Sequence, residues 1–189
     1  MKKLEPQLIP ATIKDLPLIQ RLWLFYVYDM ERYCGFNKGW ESPIDPSFIP
    51  DDLIPYFVDP TKKAFLIKIN TELAGFVLLN QSGLLPTTKW RIDDFFISAK
   101  FQGKGIGRQV AHHLWNTYPG CWELSVIPEN KNALTFWRHV VSTFTNGIYL
   151  EEIHTTGLDQ QQKRRCILSF NSEIQTQGLL HRTSPKPIN

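Results

Sequence analysis

Between Phe101 and Arg108 the chain reads F-Q-G-K-G-I-G-R, with glycines at three alternate positions and Lys104 and Arg108 among them. Upstream, residues 90–98 (W-R-I-D-D-F-F-I-S) are rich in aromatic and β-branched side chains and predict a strand. Downstream, Ile106, Val110 and Leu114 recur four apart with Ala111 beside them, which predicts a helix over 105–117. The glycines therefore fall where a strand hands over to a helix. A helix starts with N–H groups that lack partners, and its dipole is positive there. Absent side chains let an anion approach those N–H groups, and the lysine and arginine add charge. The expected occupant carries a phosphate. A P-loop needs Ser or Thr after a Gly-Lys pair, and none stands here; a dinucleotide fingerprint needs a glycine where Arg108 stands.

The rest of the chain predicts an alternation of strands and helices. Residues 7–11 predict a short edge strand. Leu16, Ile19, Leu22, Trp23 and Tyr26 predict an amphipathic helix to about Met30, capped by Thr12 and Asp15. Residues 31–50, with two glycines and three prolines, predict a long irregular connection, and a short helix follows from Asp51 toward Phe57. Strands are expected at 64–69 and 73–79, joined by an N-T-E turn, and at 122–127, 143–150 and 164–170. Ala133, Phe136, Trp137 and Val140 place a helix over 130–141. This is a mixed α/β sheet with helices on its faces. One domain is expected over 1–171, with a polar, proline-bearing tail at 172–189.

The run Gln102, Gly103, Lys104, Gly105, Ile106, Gly107 fits Q/R-x-x-G-x-G/A and resembles the acetyl-coenzyme A loop of the GCN5-related N-acetyltransferases (GNAT). A second stretch, N-K-N-A-L-T-F-W, carries Asn130, Ala133, Phe136 and Trp137 and resembles that family's N-x-x-A-x-x-F-Y helix. The order of elements agrees over about residues 5–171. Y-V-Y-D at 26–29, with D-F-F-I and C-W-E-L, resembles a bacterial subgroup of such enzymes.

The resemblance implies the GNAT fold: a mostly antiparallel sheet of six to seven strands with about four helices, in which two parallel strands splay apart to admit acetyl-CoA as co-substrate. It places the opening between residues 91–98 and 122–127. The backbone of Phe95 and Ile97 would pair with the pantetheine arm as a strand would. Residues 102–108 would hold the pyrophosphate, Asn130 would reach the arm from the other side, and Phe136 and Trp137 would flank it. The implied reaction is direct attack of a primary amine on the thioester in a ternary complex. Asp93 and Asp94 stand where the family often carries a catalytic carboxylate. Neighbours on a strand point to opposite faces, so only one can face the cleft unless a bulge intervenes. Asp94 is the favoured base. Tyr26, Tyr28 and Asp29 are the expected acceptor contacts, with Tyr33 and Trp40 adding aromatic character, which suits a cationic amine of small-molecule or peptide type. Trp137 replaces the tyrosine that in the family can protonate the leaving thiolate. Tyr118 and Tyr149 are substitutes without positional support, and a non-catalytic acyl-CoA sensor is the alternative function.

The formal charge of +3 is small and not clustered, so no nucleic-acid partner is expected. Cys34, Cys121 and Cys166 are far apart and lack ligand spacing, which predicts buried or free thiols in a reducing compartment and no metal. No signal peptide or apolar span of membrane length is visible, so a cytoplasmic protein without a membrane partner is expected. Sheet edges in this family often pair, which would make a homodimer. His112 and His113, and the K-R-R run at 163–165, are expected to be solvated.

Overall fold

The computed structural model describes residues 4–34, 37, 51–157 and 163–173. Its elements follow the predicted order: β1 (Pro6–Pro10), α1 (Leu16–Cys34), α2 (Pro55–Val58), β2 (Lys62–Ile69), β3 (Glu72–Asn80), β4 (Trp90–Ile97), α3 (Ile106–Thr117), β5 (Cys121–Val126), α4 (Lys131–Thr145), β6 (Leu150–Thr155) and β7 (Arg164–Asn171). The seven strands form one sheet in the order β1-β2-β3-β4-β5-β7-β6. Every neighbouring pair is antiparallel except β4 and β5. This is the mixed, mostly antiparallel sheet with four helices that the family resemblance implies.

Alternation along the strands divides the core into two. Phe65, Ile67, Val77 and Leu79 face α3 and α4, where Val110, Leu114, Trp115 and Val140 meet them. Leu66, Phe76 and Leu78 face the opposite side, where Ile19, Leu22, Trp23 and Val27 of α1 cover them. The site lies where this alternation fails. β3 pairs Leu78 with Asp94 but Leu79 with Ile92, so Asp93 is an extra residue in β4. The bulge turns the strand over. Ile92 and Phe95 both pack toward α3 and α4, and Phe96 packs toward α1. β4 and β5 then pair only over Trp90–Trp122, Arg91–Glu123 and Ile92–Leu124. Beyond Ile92 no pairing joins the described residues of these strands, and the two part as a fork.

Some boundaries differ from the sequence expectation. α1 continues one turn past Met30 because Cys34 is buried against the core. Residues 143–145 are not a strand: α4 runs through them because Phe144 extends its buried stripe. Asn146 at φ 52° and Gly147 at φ 82° then end the helix in left-handed conformation. β6 therefore begins at Leu150, where the predicted strand ends. Thr12 caps the first turn as expected, its N–H and hydroxyl both donating to Asp15 at 2.8 Å.

Candidate active site

A cleft of about 620 Å³ opens at the fork. Its floor comes from β4 and β5, and one wall comes from α1. Trp23, Tyr26, Val27 and Met30 line that wall, at the spacing of one helix face. Asp51, Leu53 and Tyr56 close a second side, and Asn130, Ala133 and Trp137 of the α4 region close a third.

Asp93 and Asp94 both line the cleft, because the bulge puts them on the same side. Their environments differ. Asp93 accepts a 2.6 Å hydrogen bond from the Tyr56 hydroxyl and forms an ion pair with Arg91. Among the described residues Asp94 has no ion pair of that kind. Burial pushes its carboxyl up to about 7, and the Asp93 charge adds to the rise. The Tyr26 hydroxyl beside it and Arg91 oppose the rise, while Asp51 reinforces it. Burial also raises Tyr26 well above the ordinary phenol range, with Asp94 contributing, so Tyr26 stays a proton donor. Tyr56 is raised by burial and then by the charge of Asp93. Asp51 is raised by burial. One carboxylate is thus committed to a structural pair, and its neighbour is poised to exchange a proton near neutral pH.

The three glycines of the loop divide their roles. Gly103 and Gly105 have φ of 70° and 75°, and a Cβ on either would meet nothing within 4 Å. Gly105 caps α3, so the N–H groups of the first turn face this open ground, with Lys104 and Arg108 exposed beside them. Gly107 serves packing: a Cβ there would lie 2.9 Å from Phe136 Cζ. Ile106 is buried in the core and can offer a ligand only its backbone. Gln102 turns its side chain inward and donates to the Ile97 carbonyl at 2.7 Å.

Phe95 lines the cleft and meets Trp137 edge-to-face, with ring centroids 5.1 Å apart. Phe136 meets Trp137 edge-to-face, with ring centroids 4.8 Å apart. Asn130 spends its Oδ1 on capping α4, accepting from the Ala133 N–H at 3.0 Å, and its Nδ2 faces Met30. Only that amide group can reach a ligand.

Other expected residues lie elsewhere. Tyr28 is 63% exposed and outside the cleft wall, and Asp29 pairs with Arg32 at 3.0 Å on the helix surface. Both lose the place expected for them because α1 turns its Trp23–Met30 face inward. Tyr33 also sits outside the cleft lining, and Trp40 lies outside the described residues. Tyr118 lies tilted against Trp90, with ring centroids 5.0 Å apart, and Tyr149 packs against the core; neither lines the cleft. His112 is half-buried rather than solvated, bonded through Nε2 to the Val140 carbonyl at 3.1 Å. Arg165 of the K-R-R run is buried and lines the cleft.

The sequence reading missed Tyr56, Arg91, Asp51 and Ser125. Arg91 was legible from alternation, since Trp90 and Ile92 share a face and Arg91 takes the other. Tyr56 carried no signal, because only the fold brings α2 over the bulge. Ser125 stands on β5 one residue past the last β4–β5 pair, and its Oγ is buried without a protein partner. The unpaired edge of β4, the open left-handed glycines and this orphaned hydroxyl fit an extended ligand that carries polar groups and ends in phosphates. Among the described residues no group of three or more His, Cys, Asp or Glu side chains is placed to hold a metal ion. Likewise none of their helices is long and apolar enough to cross a membrane.

A family model described as acetyltransferase (GNAT) family matches residues 24–140. No curated protein matches the chain. Among solved structures, an acetyltransferase from Thermus thermophilus is 20% identical, with a TM-score of 0.63, covering 90% of this chain and 99% of that one. A chimera of the spermidine N-acetyltransferase SpeG from Vibrio cholerae and hSSAT is 15% identical, with a TM-score of 0.57, covering 91% and 98%. Arabidopsis thaliana Naa50, in complex with a bisubstrate analogue CoA-Ac-MVNAL, is 13% identical, with a TM-score of 0.55, covering 88% and 98%. At these identities the likeness is one of fold.

Proposed function

The chain belongs to the GNAT acetyltransferase family, and from that premise we propose that it moves the acetyl group of acetyl-CoA onto a primary amine, with Asp94 as the base. The observation that carries this is Asp94 itself, a carboxyl raised to about 7, beside the Tyr26 hydroxyl, at the fork where β4 and β5 part.

Acetyl-CoA supplies the activated acyl group. Its pyrophosphate would be held by the amides of residues 102–108 with Lys104 and Arg108. Its arm would lie along the open edge of β4 near Phe95 and Ile97, flanked by Asn130, Phe136 and Trp137. An amine is protonated at neutral pH and cannot attack until it loses a proton. Asp94 takes that proton, directly or through a water. Asp93 holds Tyr56 and Arg91 in place, so the two carboxylates do different work. Tyr26, Tyr56, Trp23 and Asp51 surround Asp94 with aromatic and acidic groups, which favours a cationic acceptor. Two structural relatives point to the same class by name, a spermidine acetyltransferase and an enzyme bound to a peptide bisubstrate analogue. One catalytic domain over residues 1–171 accounts for all these parts.

Trp137 supports a second reading, a sensor that binds acyl-CoA without turning it over. An indole is no acid at neutral pH. The two readings separate in one assay, in which acetyl-CoA is incubated with spermidine, a lysine peptide and an aminoglycoside while thiol release is followed. Thiol release with a cationic amine is expected. Acetyl-CoA binding with no release from any amine would establish the sensor.

The loop makes a separate prediction. Gly105→Ala puts a Cβ on a residue at φ 75°, which costs roughly 1–2 kcal/mol and shifts the amides of the first turn. Calorimetry should show acetyl-CoA affinity falling by about tenfold or more. Gly107→Ala should instead disturb the Phe136 packing and lower thermal stability.

A further inference from the structure

Acyl transfer to an amine leaves a thiolate inside a partly buried cleft, where an uncompensated charge is costly. A proton donor is needed at that point, and the indole of Trp137 is no acid at neutral pH. The chain has six tyrosines, Tyr26, Tyr28, Tyr33, Tyr56, Tyr118 and Tyr149. Two of them, Tyr26 and Tyr56, line the cleft. Tyr56 donates to Asp93 at 2.6 Å, and Asp93 is held by Arg91, so that proton is committed. Among the described residues no His or Cys lines the cleft, and Lys62 turns its Nζ over the Tyr56 ring, 4.9 Å from the centroid. Tyr26 instead stands beside Asp94, the carboxyl that changes its protonation state.

The phenol is fixed in place. Its ring packs among Trp23, Phe76 and Phe96, with centroids 5.1, 6.1 and 6.3 Å away. Phe96 belongs to β4. One helical turn after Tyr26, the Met30 Sδ lies 3.9 Å from Nδ2 of Asn130, which caps the start of α4. The inward face of α1 therefore bridges the two sides of the fork. An acyl group presented there meets Tyr26 and Asp94 together.

Resting on the acyl-transfer reading above, we propose that Tyr26 is the acid that protonates the leaving sulfur, and that Asp94 refills it. An ammonium gives up two protons on becoming an amide. Asp94 accepts the first, and as a neutral acid it can then donate. The N–C bond forms. As the C–S bond breaks, the Tyr26 hydroxyl passes its proton to sulfur and takes the proton of Asp94 in its place. Asp94, ionised again, takes the second proton from nitrogen and releases it to solvent. The thiol departs and both side chains are back in their starting states. Burial and Asp94 raise Tyr26 well above the ordinary phenol range, so it cannot rest as a phenolate. Refilling during transfer removes that obstacle, which is why the phenol needs a protonated carboxyl beside it.

Single-turnover rates of Tyr26→Phe across pH, with a cationic amine, test the relay. Phenylalanine keeps the ring contacts, and an unchanged Tm shows that the variant folds. Losing the hydroxyl also removes a hydrogen bond that holds Asp94 down, so the ascending limb should move to higher pH. A residue that only tuned Asp94 would do no more than this, and the plateau above the limb would recover the wild-type rate. The relay predicts a plateau lower by about 10²-fold, with acetyl-CoA affinity within about threefold. Because the two residues act as one unit, Tyr26→Phe with Asp94→Asn should be no slower than Asp94→Asn alone. An active wild type whose plateau survives Tyr26→Phe overturns the relay and leaves acyl transfer standing, and so does a double variant with fully additive losses. A wild type inert toward every amine overturns both.

Discussion

Asp94→Asn is expected to lower turnover about 10²–10⁴-fold. Acetyl-CoA affinity should stay within about threefold, because asparagine keeps the shape and removes only the proton acceptor. The pH dependence supplies the sign. Asp94 works as a base only when ionised, and its carboxyl is raised to about 7. The wild-type rate should therefore climb through about pH 7, and the variant should lose that limb. Stability should move the other way. In the folded protein Asp94 holds its proton up to about 7, whereas the unfolded chain releases it near the ordinary value of 3.8. Between those values the native state binds more protons, so Asp94 makes stability fall as pH rises. Asp94→Asn removes that loss. Its stability gain over the wild type should grow from about pH 4 to pH 7 and level off above, read by thermal unfolding at a series of pH values. A variant that is slower but gains no more stability at about pH 8 than at about pH 4 would separate the catalytic claim from the electrostatic one.

Glu123→Ala is expected to cause the largest loss of stability. Glu123 is fully buried at the base of the fork. Its carboxylate accepts from the Leu84 N–H at 2.9 Å, the Leu85 N–H at 3.0 Å and the Thr88 hydroxyl at 2.7 Å. Alanine strands these donors and leaves a hole where the carboxyl was. Orphaned buried donors cost about 1–3 kcal/mol each, so a total of about 3–5 kcal/mol follows. For a chain of this size that lowers Tm by roughly 6–20 °C. Glu123 pairs in register with Arg91, the partner of Asp93, so acetyl-CoA affinity should fall as well. Glu123→Gln keeps the volume and one acceptor and should fall between the two. A Tm within about 2 °C of the wild type for Glu123→Ala would contradict this account of the fork.

The order of elements was legible in the sequence because glycines, prolines and apolar periods are local signals. Ile106, Val110 and Leu114 marked α3, the glycines at 103–107 marked the turn into it, and the motif at 130–137 marked one side of the cleft. What was not legible was non-local. The side of β4 to which Asp93 and Asp94 turn depends on a bulge whose register is set by β3. Tyr56 reaches Asp93 across 37 positions of sequence. Tyr28 and Asp29 have the chemistry of acceptor contacts, but helix phase decides which side chains face the cleft; that phase selects Tyr26, Val27 and Met30. The strand expected at 143–150 failed because β-branched and aromatic residues score as strand wherever they occur, while the packing of Phe144 kept the helix going.

The most direct test is calorimetric titration of acetyl-CoA into the full chain, with Gly105→Ala titrated alongside. One site per chain with a dissociation constant in the micromolar range, weakened in the variant, is the predicted result. A flat titration at saturating acetyl-CoA, or equal affinity in both proteins, would contradict the claim that the amides of residues 102–108 receive the coenzyme's pyrophosphate.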